Sequence, residues 1–471
     1  MTPVVRGTQI IAGGGLAGLL IADRLRAAGA DVVVIESEAT CGGLLRSFDY
    51  GAEGRFDYGT HILSETGVPG LDAWLRALLP ENDWHLLTGA RRDVAGVYWN
   101  GHLQKHSLYP DLTTLPRDEY GLCLADFFAH LDSGASAGDD ARDARSYLEQ
   151  RFGPRIAERV GVPMVERFGG APADALSLLA IKLCPLNRIA LFGRTAAQEL
   201  AQTPRLSKRI AYIDQREIPL SARSPLAAFY PRVRGIGRAV EALVARLRSE
   251  GVRVLTGTRI ARIERTARLR VHLAPSGDVV DTDHLWWAAS PLGLAPLLDV
   301  PFDARAHMDV PRSTVICHFR VPGAPVLDDV FYAYCADAPM RTYRITNYAA
   351  FCPEPVGEPR EHALTVELLV EHPTPPKGGW EALALHELRT MGIVPEGVTP
   401  TFARSETLAY GFPRPTLRNE RGMDTLRDAI TASADTSGVS LHGLGARAGT
   451  FFLVDVLREA WAALAARGLC P

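Results

Sequence analysis

Lysine is nearly absent from this chain: Lys105, Lys182, Lys208 and Lys377 stand against 47 arginines. A mechanism built on a lysine amine therefore has few candidates. The seven cysteines are scattered and form no CxxC pair, which argues against a disulfide framework or a thiolate zinc site and for reduced thiols in a cytoplasm. The thirteen histidines show no HExxH spacing, so no metal is expected. No apolar run has the length and purity of a membrane span, and the N-terminus lacks a charged segment followed by an apolar signal core. With a formal charge of −3 there is no basic footprint for nucleic acid. The composition, 47% hydrophobic and 22% charged over 471 residues, is that of a globular chain with two or three domains. The expected partner is a small-molecule substrate, and a homodimer is left open.

The first sixty-one residues carry the chemistry that is present. An apolar strand, Thr8 to Ala12, runs directly into Gly13-Gly14-Gly15-Leu16-Ala17-Gly18. A helical pattern follows from Leu19 to Ala28, and a second apolar strand, Asp31 to Ile35, ends on Glu36. In that strand–turn–helix–strand context the glycines have separate duties. Gly13 permits the tight turn, Gly15 admits a pyrophosphate against bare backbone, and Gly18 allows close helix–sheet packing. The helix N-terminus offers free N–H groups and a positive dipole end to phosphate. Glu36, 21 residues beyond Gly15, suits the adenosine ribose hydroxyls and disfavours a 2′-phosphate. A second glycine pair, Gly42-Gly43, and the run Phe56-Asp57-Tyr58-Gly59-Thr60-His61 turn the expected dinucleotide into FAD.

Further along, apolar residues fall at helical spacing in Leu71–Leu79, Leu122–Leu131 and Ala144–Phe152. The pattern changes sharply at Phe229–Gly237. A helix from Arg238 to Glu250 follows, then a strand pair, Val252–Leu255 with Arg259–Glu264, and an apolar run, Leu285–Ala289. Period-two alternation marks an antiparallel sheet between about residues 314 and 407. A last strand, a glycine-rich turn and a helix from Phe452 to Ala466 close the chain. The expected fold class is α/β, a Rossmann-like FAD-binding domain with a helical insert and an antiparallel-sheet substrate domain. Residues 1–70, 225–300 and 425–471 would form the discontinuous FAD-binding domain, 71–224 the insert and 301–424 the substrate domain.

This order of motifs resembles the two-glycine-motif flavoprotein superfamily, which includes amine oxidases, protoporphyrinogen oxidases, phytoene desaturases and UDP-galactopyranose mutases. Gly59-Thr60-His61-Ile62-Leu63 is similar to the mutases' GPHIF segment over the flavin. Tyr343-Arg344-Ile345-Thr346-Asn347-Tyr348 resembles their arginine-bearing strand, and Ala446 to Asp455 their closing GRLGxYxYxD motif. The resemblance implies that Gly42 and Gly43 approach the pyrophosphate and ribityl chain, with Arg46 or Ser47 contacting the cofactor. It implies that Gly59 and His61 lie near the flavin N5 edge and that Ile260 offers backbone to the adenine. Arg447 would face the pyrimidine end of the ring, and Asp455 would accept from a ribityl hydroxyl or a backbone group. Arg344 would point its fork into the substrate pocket, walled by Tyr410. The chain departs from the mutases at Leu453, where they have a tyrosine, and at Asn347, where they have glutamate. The reading that results is an FAD-dependent oxidoreductase acting on a polar or anionic metabolite, the alternative being a redox-neutral sugar-nucleotide mutase.

Overall fold

The computed structural model describes residues 7–134, 138–353, 360–433 and 437–470, with the Tyr410 side chain outside the described set. The chain forms two compact units. Met1–Leu86, Ala228–Met308 and Arg421–Pro471 make the first, and Leu87–Ala227 with Asp309–Glu420 the second.

The first unit is built on a five-stranded parallel sheet. Its order is Arg253–Leu255, Asp31–Ile35, Thr8–Ala12, His284–Trp287 and Val439–Leu441. The central strands are apolar along their length because a parallel sheet is covered on both faces: Ile10, Ile11, Val32, Val33 and Val34 are all buried. The helix after the first strand spans Leu16–Ala27, three residues earlier than the periodicity from Leu19 predicts. Gly15 is its N-cap in extended conformation, and Gly18 lies inside the helix rather than in the turn. The C-terminal helix, Leu453–Ala465, packs against this first helix.

The two strands expected to pair after Glu250 belong to different sheets. Arg253–Leu255 joins the parallel sheet, whereas Arg259–Arg265 opens a three-stranded antiparallel sheet with Leu269–Ala274 and Val279–Thr282. The cause is local. Gly257 takes a left-handed φ of +61°, and the Gly257 and Thr258 amides donate to the carbonyls of Glu38 and Glu36. The chain is thus turned away before the next strand begins.

The second unit holds a seven-stranded sheet. Its order is Phe402–Phe412, Arg312–Pro322, Glu361–Val370, Thr342–Asn347, Tyr332–Cys335, Ala95–Trp99 and His102–Gln104. Helices Arg117–Asp132, Ala144–Phe152 and Val162–Gly169 share one core with it, in which Phe127, Leu148, Phe152 and Phe168 meet Val97, Trp99, Tyr343 and Leu369. Insert and sheet therefore form a single body. Arg167 ties them further by donating to the carbonyls of Cys335, Met340 and Thr342. Among the described residues no helix is long and apolar enough to cross a membrane.

Candidate functional site

The glycine fingerprint occupies the turn between the first strand and the first helix. Gly13 has φ +109° and donates its amide to the Ile35 carbonyl at 2.8 Å, which seats the turn on the neighbouring strand. A Cβ added at Gly18 would lie 2.0 Å from the Gly13 carbonyl oxygen, so helix and turn touch there through bare backbone. At Gly15 the same construction meets no atom within 4 Å. That α-carbon faces open space at the start of a helix whose N-cap supplies no side-chain hydrogen bond. Glu36, buried, accepts from the Gly14 amide and from the Glu38 amide, each at 2.8 Å. Its own carbonyl accepts from Thr258, which brings the backbone leading to Ile260 alongside the acid. The Ile260 side chain is half-buried on the apolar cluster of Leu269, Val271 and Leu273.

The second glycine pair comes up against the first. The Gly42 amide donates to the Gly14 carbonyl at 2.8 Å, Gly15 and Gly42 form a parallel bridge, and a Cβ on Gly43 would lie 3.6 Å from the Gly15 α-carbon. Gly42 and Gly43 both have positive φ, +127° and +57°, which allows the chain to reverse here. Arg46 closes the turn. It donates to the Gly43 carbonyl, pairs with Glu38 at 3.1 Å and lies 4.8 Å above the Tyr58 ring, which itself stacks on Phe48. Gly15, Gly42 and Gly43 thus meet through bare backbone at the start of a helix, a place that suits an anion.

Ser47, the alternative to Arg46, has a different role. Its hydroxyl donates to Asp57 at 2.7 Å and accepts from the Gly237 amide at 2.9 Å. Asp57, 1% exposed, also accepts from the Ile236 amide and the Tyr230 hydroxyl, which in turn accepts from the Gly235 amide. Burial pushes the Asp57 carboxyl up to about 6, against the opposing pull of Tyr230, Ser47, the Ile236 amide and Arg234. The hairpin Ser47–Asp49 with Arg55–Asp57, which follows the glycine pair, is thereby locked to the start of helix Gly237–Ser249. Sequence reasoning missed this network. The only signal was the change of pattern at Phe229–Gly237, read there as a boundary.

Gly59, buried with φ +107°, follows this hairpin, and His61 stands half-buried two residues later. In the closing turn Arg447 is largely exposed, 66% by side chain, with its Nε 3.5 Å from Glu459 of the C-terminal helix. Asp455 accepts from the Phe452 amide at 3.3 Å, capping the start of that helix. Gly13, Gly15, Gly18, Glu36, Gly42, Gly43 and Arg46 are thus linked around the two glycine turns, and Gly59, His61, Ile260, Arg447 and Asp455 belong to the same unit.

Arg344 and Tyr410 belong to the second unit, and the Tyr410 side chain lies outside the described residues. Arg344 does not present a free fork. Its Nε and Nη2 donate to the two Glu367 oxygens at 2.7 and 2.9 Å, and its guanidinium lies 5.4 and 5.9 Å from the rings of Tyr343 and Tyr334. A bulge between Thr342 and Arg344 puts Tyr343 beside Arg344. Burial pulls the Arg344 pKa down, but the Glu367 charge and the two phenols outweigh it and hold it well above the usual value. The acid that pairs with Arg344 stands on the adjacent strand. Asn347, fully buried, instead donates to the Asp328 and Val330 carbonyls.

Residues 11–78 match the family model of the NAD(P)-binding Rossmann-like domain. Among solved structures the chain is similar to reduced UDP-galactopyranose mutase, at 17% identity and TM-score 0.75, covering 98% of this chain and 96% of that one. It is similar also to a protein from Exiguobacterium sp. 255-15 provisionally assigned as a protoporphyrinogen oxidase (16%, TM-score 0.67, 98% of each chain). Cyclohexylamine oxidase from Brevibacterium oxydans IH-35A gives 16% identity and TM-score 0.62, again over 98% of each chain. No curated protein shows significant sequence similarity. At these identities the likeness is one of fold, and the fold is the one the two-glycine motif leads to: a Rossmann-like domain combined with antiparallel sheets.

Proposed function

We propose that the protein is an FAD-dependent oxidoreductase. The observation that carries the proposal is the meeting, through bare backbone, of Gly15 at the start of the first helix with Gly42 and Gly43, beside Glu36. Bound FAD supplies a hydride acceptor, and the chain supplies placement and charge. Gly13, Gly15 and the helix start at Leu16 receive the pyrophosphate. Glu36 takes the ribose hydroxyls, and the Gly42–Gly43 turn, held by Arg46, guides the chain toward the ring. The Ser47–Asp57–Tyr230 network keeps that turn in place. His61 stands near the reacting edge, Asp455 holds the start of the last helix, and Arg447 sets a positive charge at the pyrimidine end.

Substrate binding falls to the second unit. Since Glu367 fills the Arg344 fork, Arg344 acts by orienting the Tyr334 and Tyr343 rings rather than by gripping an anion. A polar, uncharged or cationic metabolite is favoured over an anionic one. The likeness to reduced UDP-galactopyranose mutase supports a second reading, a redox-neutral mutase. One experiment separates them. Substrates are added to the purified flavoprotein under nitrogen, before and after chemical reduction. Bleaching of the oxidised flavin by a substrate is the expected result. Turnover that needs prior reduction yet consumes no reductant would establish the mutase instead.

A further inference from the structure

The seven-stranded sheet of the second unit ends in two unlike edges. His102–Gln104 closes one side with only three residues, which blunts that edge. The other side is Phe402–Phe412, eleven residues paired on the inner side with Arg312–Pro322. From Phe402 to Leu408 that pairing runs unbroken against Arg320 to Thr314, and the register shift lies beyond it, between Arg312 and Thr314. Helix Gly379–Thr390 lies against a face of this strand, where Glu381 accepts from the Ser405 hydroxyl at 2.8 Å. Among the described residues no strand pairs with the outer side, and Ala403, Arg404, Thr407 and Ala409 are exposed.

A long open edge is a template for another strand, and folds commonly guard it with lysine or proline. Phe402–Phe412 contains neither. It carries one cation and one anion, Arg404 and Glu406, two positions apart and so on one face. Set antiparallel against a second copy of itself, with a two-fold axis at Ser405, the strand is its own complement. Arg404 of each copy stands opposite Glu406 of the other, Phe402 opposite Leu408, and Ala403 opposite Thr407. Opposite charges therefore pair twice at the centre, apolar side chains meet at both ends, and small side chains line the other face. Moving the axis to Arg404 or to Glu406 would set like charges face to face, which is destabilising. Charge thus selects one register.

We infer that this edge is a homodimer interface, in which two copies of the chain join their sheets through Phe402–Leu408. The new main-chain ladder supplies attraction, and the Arg404–Glu406 pairs choose partner and register. Each contact occurs twice, as a two-fold interface requires. None of these residues belongs to the proposed flavin site, so the dimer stands or falls independently of the cofactor.

Sedimentation velocity of the purified chain over a range of concentrations should show a species of twice the chain mass. Added salt should weaken it, since exposed charge pairs are screened. Arg404→Glu turns both central pairs into like-charge pairs, and Glu406→Arg does the same. Each should raise the dimer dissociation constant about tenfold or more. The double variant, Arg404→Glu with Glu406→Arg, restores opposite charges and should recover the dimer, with circular dichroism confirming that each variant is folded. A parent chain that stays monomeric overturns the inference, whether or not any variant folds. A dimer indifferent to salt and to either single reversal is built on another face and overturns it equally. So does a folded double variant that remains monomeric.

Discussion

Gly18 and Gly15 look alike in the fingerprint and fail in opposite ways. A methyl on Gly18 collides with the Gly13 carbonyl at 2.0 Å, whereas a methyl on Gly15 meets nothing within 4 Å. Gly15 also has φ −69° and ψ 169°, which any residue adopts. Gly18→Ala should therefore lose about 2 kcal/mol of stability through backbone displacement. Gly15→Ala should unfold within about 2 °C of the parent and yet lose the flavin. Thermal melts and flavin content check both, and a Gly15→Ala protein that keeps its cofactor would dismiss the cradle. Asp57 gives a pH signature. Its folded pKa, about 6, lies above the ordinary value of 3.8. Its contribution is thus full below the unfolded pKa and lost as pH rises through 6, about 3 kcal/mol in all. Urea titrations between pH 4 and 7 should show that slope, and Asp57→Asn should flatten it. The glycines and Glu36 were legible because their spacing is local. The Asp57–Tyr230 bond spans 173 residues, and nothing in either segment names the other.

Among elements, what the sequence could not supply was register. The alternation across Thr342–Asn347 left open which face Arg344 would take. Pairing decides it: after a bulge between Thr342 and Arg344, Arg344 stands opposite Glu367. The Arg344 and Glu367 side chains are only 18% and 8% exposed, so Glu367→Gln leaves a largely buried guanidinium without its counter-charge. A loss of about 3 kcal/mol is expected, read as a lower urea midpoint at unchanged slope. A neutral effect would mean that Arg344 finds another partner. The first helix begins at Leu16, ahead of the expected Leu19. Gly18, expected as a close-packing contact, makes that contact from inside the helix, where tertiary packing outweighs its propensity.

At the level of the molecule, three segments, Met1–Leu86, Ala228–Met308 and Arg421–Pro471, make up the first unit. The helical insert and the antiparallel sheet were read as separate bodies, yet Phe127, Phe152 and Phe168 share a core with Trp99 and Tyr343. Periodicity shows that a face is apolar and leaves open what will cover it. A ligand that binds only the folded state raises stability by mass action. Added FAD should raise the melting temperature of cofactor-stripped protein, and NADP should not, because Glu36 opposes its 2′-phosphate. The most direct measurement is the visible spectrum of the purified protein with the released cofactor identified. One FAD per chain is the expected result, and a colourless protein that takes up no FAD when it is supplied would contradict the account.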